Sequence, residues 1–449
     1  MTLYLIANAL IWTFTSPDTR LAEAADGTSW YRPALALLEH GGFVALDEPA
    51  QVETYRPPLY PLFAAAAMTM AGGPSPAAIA ASQILLLLLI GLLFRNLVRD
   101  WMPGWENFAF ALLLFNPNVL SSAQFVQSET LFLAFTTLAF WAAAKYLRYG
   151  GQSRYALLTG LAIALACLTR PTAQFLLLAL PVLFPLLSVT SGGASWKKST
   201  AQGACSLAIA LVVVAPWVAL VASQGHGLAL SDSEGKYRYI WDQVVIIEAQ
   251  SSGKSYHDAA ARITAPGGAE HDFIASQGEA WKSLDRATRN RSLADEGMAV
   301  LLSYPVADFA KALYRSQAQF YLAGGAGNWH NLFDIGAESV SIAWFTNAQD
   351  ELWPLLQRLF SDVPPVGLVF SALAIGFTVL ARLIGLVGIF SLCRTNRWGL
   401  LLIIAGIVLY FALIHVFVGN SRYRVAIEPM LMFLTIGGLD QLGRLFGKR

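Results

Sequence analysis

The chain has 449 residues, 56% of them hydrophobic and only 13% charged, with a net charge of +1 and a mean hydropathy of +0.51. A soluble domain carries about 25% charged residues, so the deficit describes an integral membrane protein. The near-neutral balance leaves no bulk electrostatic attraction for nucleic acid.

A membrane-crossing helix takes ~20 mostly apolar residues. Applied in chain order, that length predicts about ten spans, near 1–15, 75–98, 105–121, 127–147, 154–170, 172–189, 202–222, 364–392, 399–418 and 425–443. The expected fold class is an all-α polytopic membrane protein with amphipathic helices on its outer face. The first span, MTLYLIANALIWTFT, has no basic n-region and no small-residue cleavage site, so it reads as a retained helix and not a signal peptide. The segment 58–71 is short for a span and is placed at the membrane interface. The fifth and sixth spans are separated only by Arg170-Pro171, which leaves their boundary soft. Cys167, Cys205 and Cys393 are far apart and form no CxxC pair, so they read as packing residues.

Lys and Arg collect on the cytoplasmic side of short loops. Arg95 and Arg99 follow the second span, and Lys145, Arg148 and Arg154 lie between the fourth and fifth. Lys197 and Lys198 follow the sixth, Arg394 and Arg397 separate the eighth and ninth, and Arg444, Lys448 and Arg449 end the chain. An even number of spans puts all of these on one side together with both termini, which makes that side cytoplasmic. Two larger pieces then face outward, a first loop at 16–57 and a region at 223–363. They divide the chain into an N-terminal membrane module (1–222), a mostly helical outer region (223–363) and a C-terminal membrane module (364–449). Within the outer region, amphipathic helices are expected at 283–302 and, after Pro305, at 306–322. No fixed-period repeat, low-complexity segment or heptad pattern is present.

The stretch 24–61, containing ADGTSWYRPALALLEHGG and ending RPPLYP, is too polar to cross a bilayer and too patterned for a slack loop. It predicts a short amphipathic helix at 28–40 headed by Asp26. Other polar residues fall on the same outer side. Arg56 is in the first loop, Glu129 in SSAQFVQSETLF, Arg170 in CLTRPTAQF, Arg422 and Arg424 in GNSRYRVAIEP, and His330 and Asp334 in the outer region. Ionisable residues at membrane depth are expensive and default to a functional hypothesis. Arginines and carboxylates gathered at one face suit an anionic lipid phosphate and a catalytic base.

Each residue also has a plainer role open to it. Asp26 before Thr28-Ser29 fits a helix N-cap, and Glu129 after Ser128 fits a helix start. Arg56, Arg170 and the Arg422/Arg424 pair fit headgroup anchors as well as phosphate ligands. Arg382, inside the eighth apolar run, reads as snorkelling or a buried pair and not as catalytic. His330 beside Trp329 suits contact with a sugar or phosphate, and equally a packed Trp-His pair. His257-Asp258 and Glu270-His271-Asp272 are weak metal candidates, since adjacent loop residues are usually just solvated. The chain has no HExxH, GxxxxGK[ST], GxGxxG or GxSxG motif, so a soluble nucleotide donor or ATP is not indicated.

In order, ADGTSWYRPALALLEHGGF, RPPLYPLFAA, FNPNVLSSAQFVQSETLFLAF, LTRPTAQFLLLALP, APWVAL and SRYRVAIEPML resemble the bacterial branch of the protein O-mannosyltransferase and aminoarabinose-transferase family, within the GT-C superfamily of polytopic glycosyltransferases. The resemblance covers most of 20–220 and 400–435 and is only generic over 223–363. It implies an inverting transfer of a sugar from a polyprenyl-phosphate donor at the outer face of a bacterial plasma membrane, toward the periplasm or cell exterior. The matching base is Asp26. Arg56, Tyr60, Glu129, Arg170, His330, Arg422 and Arg424 are the expected substrate contacts. The expected partners are membrane lipid, the lipid-linked donor, and a glycan, lipid or protein acceptor. No metal site or other cofactor is expected, although a divalent ion is left open. Gly27 stands where the eukaryotic mannosyltransferases of this family have a second acid, which leaves Glu53 or Glu23 to share the work of Asp26. The alternatives from the residues alone are a flippase or transporter of lipid-linked sugars, an oligosaccharide ligase, and a non-catalytic envelope scaffold.

Overall fold

The computed structural model describes residues 1–21, 26–191, 195–252, 256–335 and 363–447, with the single positions 357 and 361. Glu23, Gly192, Gly193, Lys448, Arg449 and most of 336–362 lie outside the described residues. Among the described residues, six helices are long and apolar enough to cross a membrane: Pro76–Trp101, Glu129–Arg148, Pro171–Thr190, Trp196–Ser223, Pro365–Arg394 and Ser421–Leu445. Four shorter apolar helices accompany them, at Thr2–Thr13, Leu59–Met70, Ser153–Thr169 and Trp398–Ile414. Among the described residues the β-structure is limited to one antiparallel bridge, Val44 with Val52. The all-α polytopic reading therefore holds.

One expected span is not a single helix. The run 105–121 divides into Glu106–Leu114 and Pro117–Ser122. Pro117 has no N–H to continue the first helix. Asn116 starts the second, its side-chain oxygen accepting from Asn118 N at 3.0 Å and Val119 N at 3.3 Å, as an N-cap does. The soft boundary at 170 also takes a defined form. Ser153–Thr169 ends as Arg170 turns extended, φ −146° and ψ 131°, the conformation favoured before proline. A short 3-10 turn at Pro171–Ala173 precedes the next helix, Leu176–Ser191.

The Pro365–Arg394 helix shows why these elements sit in a bilayer. Val366, Val369, Leu373, Leu380, Leu383 and Leu386 are exposed on one side, the side that lipid would cover. The opposite side buries Gly367, Ser371, Ala374, Thr378, Ala381, Gly385 and Gly388, at alternating steps of three and four. Small residues at this spacing let helix backbones approach closely. A Cβ at Gly388 would lie 1.9 Å from Leu434 O, and one at Gly438 would lie 2.0 Å from Ile384 O. Gly388→Val therefore forces the two helices apart. It is expected to destabilise by at least the ~1–3 kcal/mol of core overpacking, read as a lowered Tm in detergent; an unchanged Tm would contradict the close crossing.

Outside the membrane, the helix Ser233–Ser252 packs on Arg286–Ser303 around Trp241, Val244 and Val245. Trp241 Nε1 donates to Leu293 O at 2.9 Å. The predicted helices 283–302 and 306–322 appear as Arg286–Ser303, capped by Asp285 accepting from Thr288 N at 2.9 Å, and Val306–Leu322. Ser233–Ser252 was not anticipated. Its apolar residues are buried on more than one side and give no clean amphipathic stripe.

Candidate active site

The Gly27–His40 helix lies on Leu59–Met70, burying Trp30 and Ala34 against Tyr60, Ala64 and Met68. The Trp30 and Tyr60 rings meet edge to face at 5.4 Å. Tyr60 OH donates to Gln83 Oε1 at 2.9 Å, and Gln83 Nε2 donates to Phe125 O at 2.6 Å. Tyr60 is thus a fully buried support beneath the first loop. Between the two helices the chain folds back through the Val44–Val52 bridge, with Ala45 N donating to Gln51 O at 2.8 Å. That return delivers Arg56 beside Trp30.

Arg56 is held on three sides. Its guanidinium carbon lies 4.3 Å from the Trp30 ring and 4.5 Å from the Tyr55 ring, both within cation–π range. Its Nη2 donates to Ser29 Oγ at 2.6 Å. Burial pulls its pKa below the ordinary guanidinium value, with Tyr55 and Asp26 acting the other way.

Asp26 stands at the head of the helix but does not cap it with its side chain. Its backbone is left-handed, φ 54° and ψ 23°, a conformation that costs a non-glycine residue of order 1 kcal/mol or more. Ser29 Oγ donates to its carbonyl at 2.8 Å. Its carboxylate turns elsewhere, with Oδ2 3.0 Å from Arg422 Nη2 and 3.9 Å from Arg56 Nη2, and the side chain is 51% exposed. The simple cap reading is excluded. Gly27 is packed against the backbone of Leu21, where an added Cβ would lie 3.2 Å from the carbonyl carbon. A second acid at that position has no ready room.

Behind Asp26 the charges continue inward. Arg422 sits in the Ser421–Arg424 turn, its N–H donating to the side-chain oxygen of Asn420 at 2.9 Å. Its Nε donates to Glu129 Oε1. The same oxygen accepts from Arg170 Nη1 at 2.5 Å, and Arg170 also reaches Ser128 Oγ at 3.3 Å. Glu129 is 3% exposed, and its Oε2 has no hydrogen-bond partner among the described residues. It holds two arginines from distant segments in one place. Tyr423 backs them, with Arg170 5.6 Å from its ring and the His415 ring stacked on it at 4.2 Å. Three guanidinium groups thus meet two carboxylates, and only Asp26 of the acids opens widely to solvent.

The other expected contacts lie elsewhere. Arg424 is fully buried and spent on structure. Its Nε donates to Glu428 Oε1 at 2.6 Å, and its other nitrogens go to Phe320 O and, at 2.7 Å, Ala323 O. Residues two apart on a helical turn do not face the same way, which separates it from Arg422. Arg382 Nη2 donates to both Glu428 oxygens, at 2.8 and 3.0 Å, and Asn116 Nδ2 donates to Oε2 at 3.0 Å. Arg382 therefore takes the buried-pair role. His330 is packed inward, with Nε2 3.1 Å from Gly367 O. Its neighbour Trp329 stacks on Phe370 at 5.8 Å and donates to Pro117 O at 3.1 Å. Glu53 Oε1 accepts from Tyr55 N at 2.8 Å and shapes the loop.

Ser29, Trp30, Tyr55, Tyr423, His415 and Glu428 were missed in the sequence. Only Glu428 carried a signal there, as a carboxylate opening an apolar span like Glu129. The others act through contacts between segments that no local spacing displays.

Residues 55–219 match the dolichyl-phosphate-mannose-protein mannosyltransferase family, a segment that includes Arg56, Tyr60, Glu129 and Arg170. No curated protein matches the sequence. Among solved structures, the chain is similar to the archaeal oligosaccharyltransferase AglB from Archaeoglobus fulgidus, in complex with an inhibitory peptide and a dolichol-phosphate. The identity is 14% and the TM-score 0.50, over 99% of this chain and 51% of that one. It is also similar to ArnT from Cupriavidus metallidurans bound to undecaprenyl phosphate, at 14% identity and a TM-score of 0.38, over 99% of this chain and 77% of that one. The chain spans about half the length of the AglB chain. The likeness to AglB is one of fold, that of a polytopic all-α membrane protein. The resemblance to the GT-C superfamily, of the mannosyltransferase and aminoarabinose-transferase type, is borne out by the family match and by the fold shared with AglB.

Proposed function

We propose that the protein transfers a sugar from a polyprenyl-phosphate donor to a hydroxyl or other nucleophile on the outer face of a bacterial plasma membrane, with inversion. The observation that carries this reading is a solvent-open carboxylate, Asp26, joined through Arg422 to a buried cluster of arginines. Asp26 takes the proton of the acceptor hydroxyl as its oxygen bonds to the anomeric carbon. The bond from that carbon to the phosphate oxygen breaks, and polyprenyl phosphate leaves with the electron pair. Arg422, Arg170 and Arg56 offset the charge developing on the phosphate, since guanidinium binds phosphate oxygens in a matched, two-pronged fashion. Glu129 keeps two of these arginines in register. The dolichol-phosphate held by AglB supports a lipid phosphate as donor.

A flippase needs polar groups open along the membrane depth. The deep charges here, Arg382, Arg424 and Glu428, are bound to one another, which favours the transferase. The deciding experiment incubates purified protein with a panel of polyprenyl-phosphate sugars and measures release of polyprenyl phosphate. Release with at least one sugar is expected. No release, with lipid-linked sugar flipping in liposomes instead, would hand the function to the transporter reading. Within that assay, Arg422→Glu is expected to weaken donor binding about tenfold or more, the equivalent of one hydrogen bond to a charged group. Unchanged donor affinity would remove Arg422 from the phosphate site.

A further inference from the structure

The outer region is hydrogen-bonded to the first loop and to the end of the Trp398–Ile414 helix. The helix Ser233–Ser252 is tethered at two points that flank the charged cluster. At its start, Ser231 Oγ donates to Tyr55 O at 2.7 Å and Asp232 N donates to Thr54 O at 3.2 Å, next to Arg56. Farther along, Tyr239 OH donates to Ile414 O at 2.5 Å, where Trp398–Ile414 ends and the chain turns toward Arg422. Asp242 stands three residues after Tyr239, so the two share a helix face. On the next helix, Tyr256–Thr264, the Tyr256 hydroxyl donates to Asp242 Oδ1 at 2.8 Å. Trp241, Val244 and Val245 fill the outer core from another side of the same helix.

These side chains are open to solvent. Tyr239 is 40% and Tyr256 45% exposed, and Asp242 is exposed as well. Nonetheless surrounding protein raises the Asp242 pKa from the ordinary aspartate value, and nearby Asp26 adds to the rise. Tyr256 is raised first by burial and then by Asp242, with Tyr423 and Asp26 contributing. The tethers at Tyr55 and Ile414 set this helix beside the loop that carries Arg56 and the chain leading to Arg422, and the charge of Asp26 acts on both Asp242 and Tyr256.

We propose that Asp242, Tyr256 and Tyr239 form the acceptor subsite and that the acceptor is a saccharide, held with one hydroxyl against Asp26. This rests on the transferase reading above. These three residues offer a carboxylate with lone pairs beyond the one that Tyr256 uses, phenolic hydroxyls, and flat rings. Such a set suits the many hydroxyls and apolar faces of a sugar. An acyl chain needs an apolar lining, which the described residues of this subsite do not supply; a peptide is the other occupant, and the test below decides against or for it. The carboxylates of Asp242 and Asp26 together disfavour an acidic acceptor.

The test uses the full-length protein in detergent. Saturation-transfer NMR is run with a mixture of neutral hexose and N-acetylhexosamine oligosaccharides, and in parallel with a Ser/Thr-rich peptide mixture. Saccharide binding is expected in the wild type, weakened about tenfold in Asp242→Asn and Tyr256→Phe and retained in Lys282→Ala, an exposed outer-region control. Should Asp242→Asn melt early, Tyr256→Phe, which loses a single hydroxyl, carries the decision. Absent saccharide binding, binding of the peptides instead, or undiminished affinity in a folded Tyr256→Phe would overturn the subsite. Donor turnover is scored separately as release of polyprenyl phosphate. Saccharide binding without release tells against the transferase reading and leaves the subsite standing; release without saccharide binding does the reverse.

Discussion

Asp26→Asn is expected to lower sugar transfer by ~10²–10⁴-fold, the usual contribution of a positioned general base, while the Tm stays near that of the wild type. Both halves of this expectation come from the geometry. The carboxylate is 51% exposed, and its partners Arg422 and Arg56 each have another anchor, Glu129 and Ser29 respectively. An ion pair that open to solvent contributes ~0–1 kcal/mol, so losing its charge changes stability little. Asparagine also tolerates the left-handed backbone at φ 54° better than most residues do. The variant removes proton acceptance and keeps the shape. Release of polyprenyl phosphate under saturating donor and acceptor reads the rate, and thermal unfolding in detergent reads the fold. A normal rate would take the base role away from Asp26. A large fall in Tm would instead make Asp26 a structural residue.

How far the sequence anticipated this arrangement varied with the range of the interaction involved. Amphipathic spacing and a proline ahead of a helix are local signals, so the helices at 28–40 and 306–322 were legible nearly to the residue, as Gly27–His40 and Val306–Leu322. The run at 105–121 was misjudged because hydropathy averages over Asn116-Pro117, where the hydrogen-bond pattern restarts. Asp26, Arg56, Glu129, Arg170 and Arg422 were all named from the rule that charge at a membrane face needs a reason, and the fold brings them together. The same rule cannot tell which charge pairs with which. Arg422 and Arg424 are indistinguishable in SRYR, yet one reaches Asp26 and the other Glu428. Their separation depends on the turn's rotation relative to two packed helices. Likewise His330 and Trp329 were open to a sugar contact and to core packing, because aromatic and imidazole groups serve both equally well. In the fold His330 meets Gly367 O and Trp329 stacks on Phe370.

The second large effect is expected at Glu428, and it is one of stability. Glu428 is fully buried and accepts from Arg382, Arg424 and Asn116. Glu428→Ala leaves two guanidinium groups without their counter-ion among apolar helices. Breaking a buried pair in this way costs about 3–5 kcal/mol, and the penalty for an arginine at membrane depth is of similar or larger size. The expected outcome is a sharp loss of folded protein in detergent extracts and a strongly lowered Tm in whatever survives. Glu428→Gln keeps an acceptor oxygen but not the charge, and should fall between the two. The triad as a whole need not add stability, because well-packed apolar replacements for buried ion pairs are often neutral or better. The combined change of Glu428, Arg382 and Arg424 to leucine should therefore recover part of what Glu428→Ala loses, although the carbonyls of Phe320 and Ala323 then lose their donor. If Glu428→Ala melts like the wild type, charge balance does not hold these helices together. If instead it melts normally and loses transfer, Glu428 belongs with Asp26 in the chemistry and not in the frame behind it.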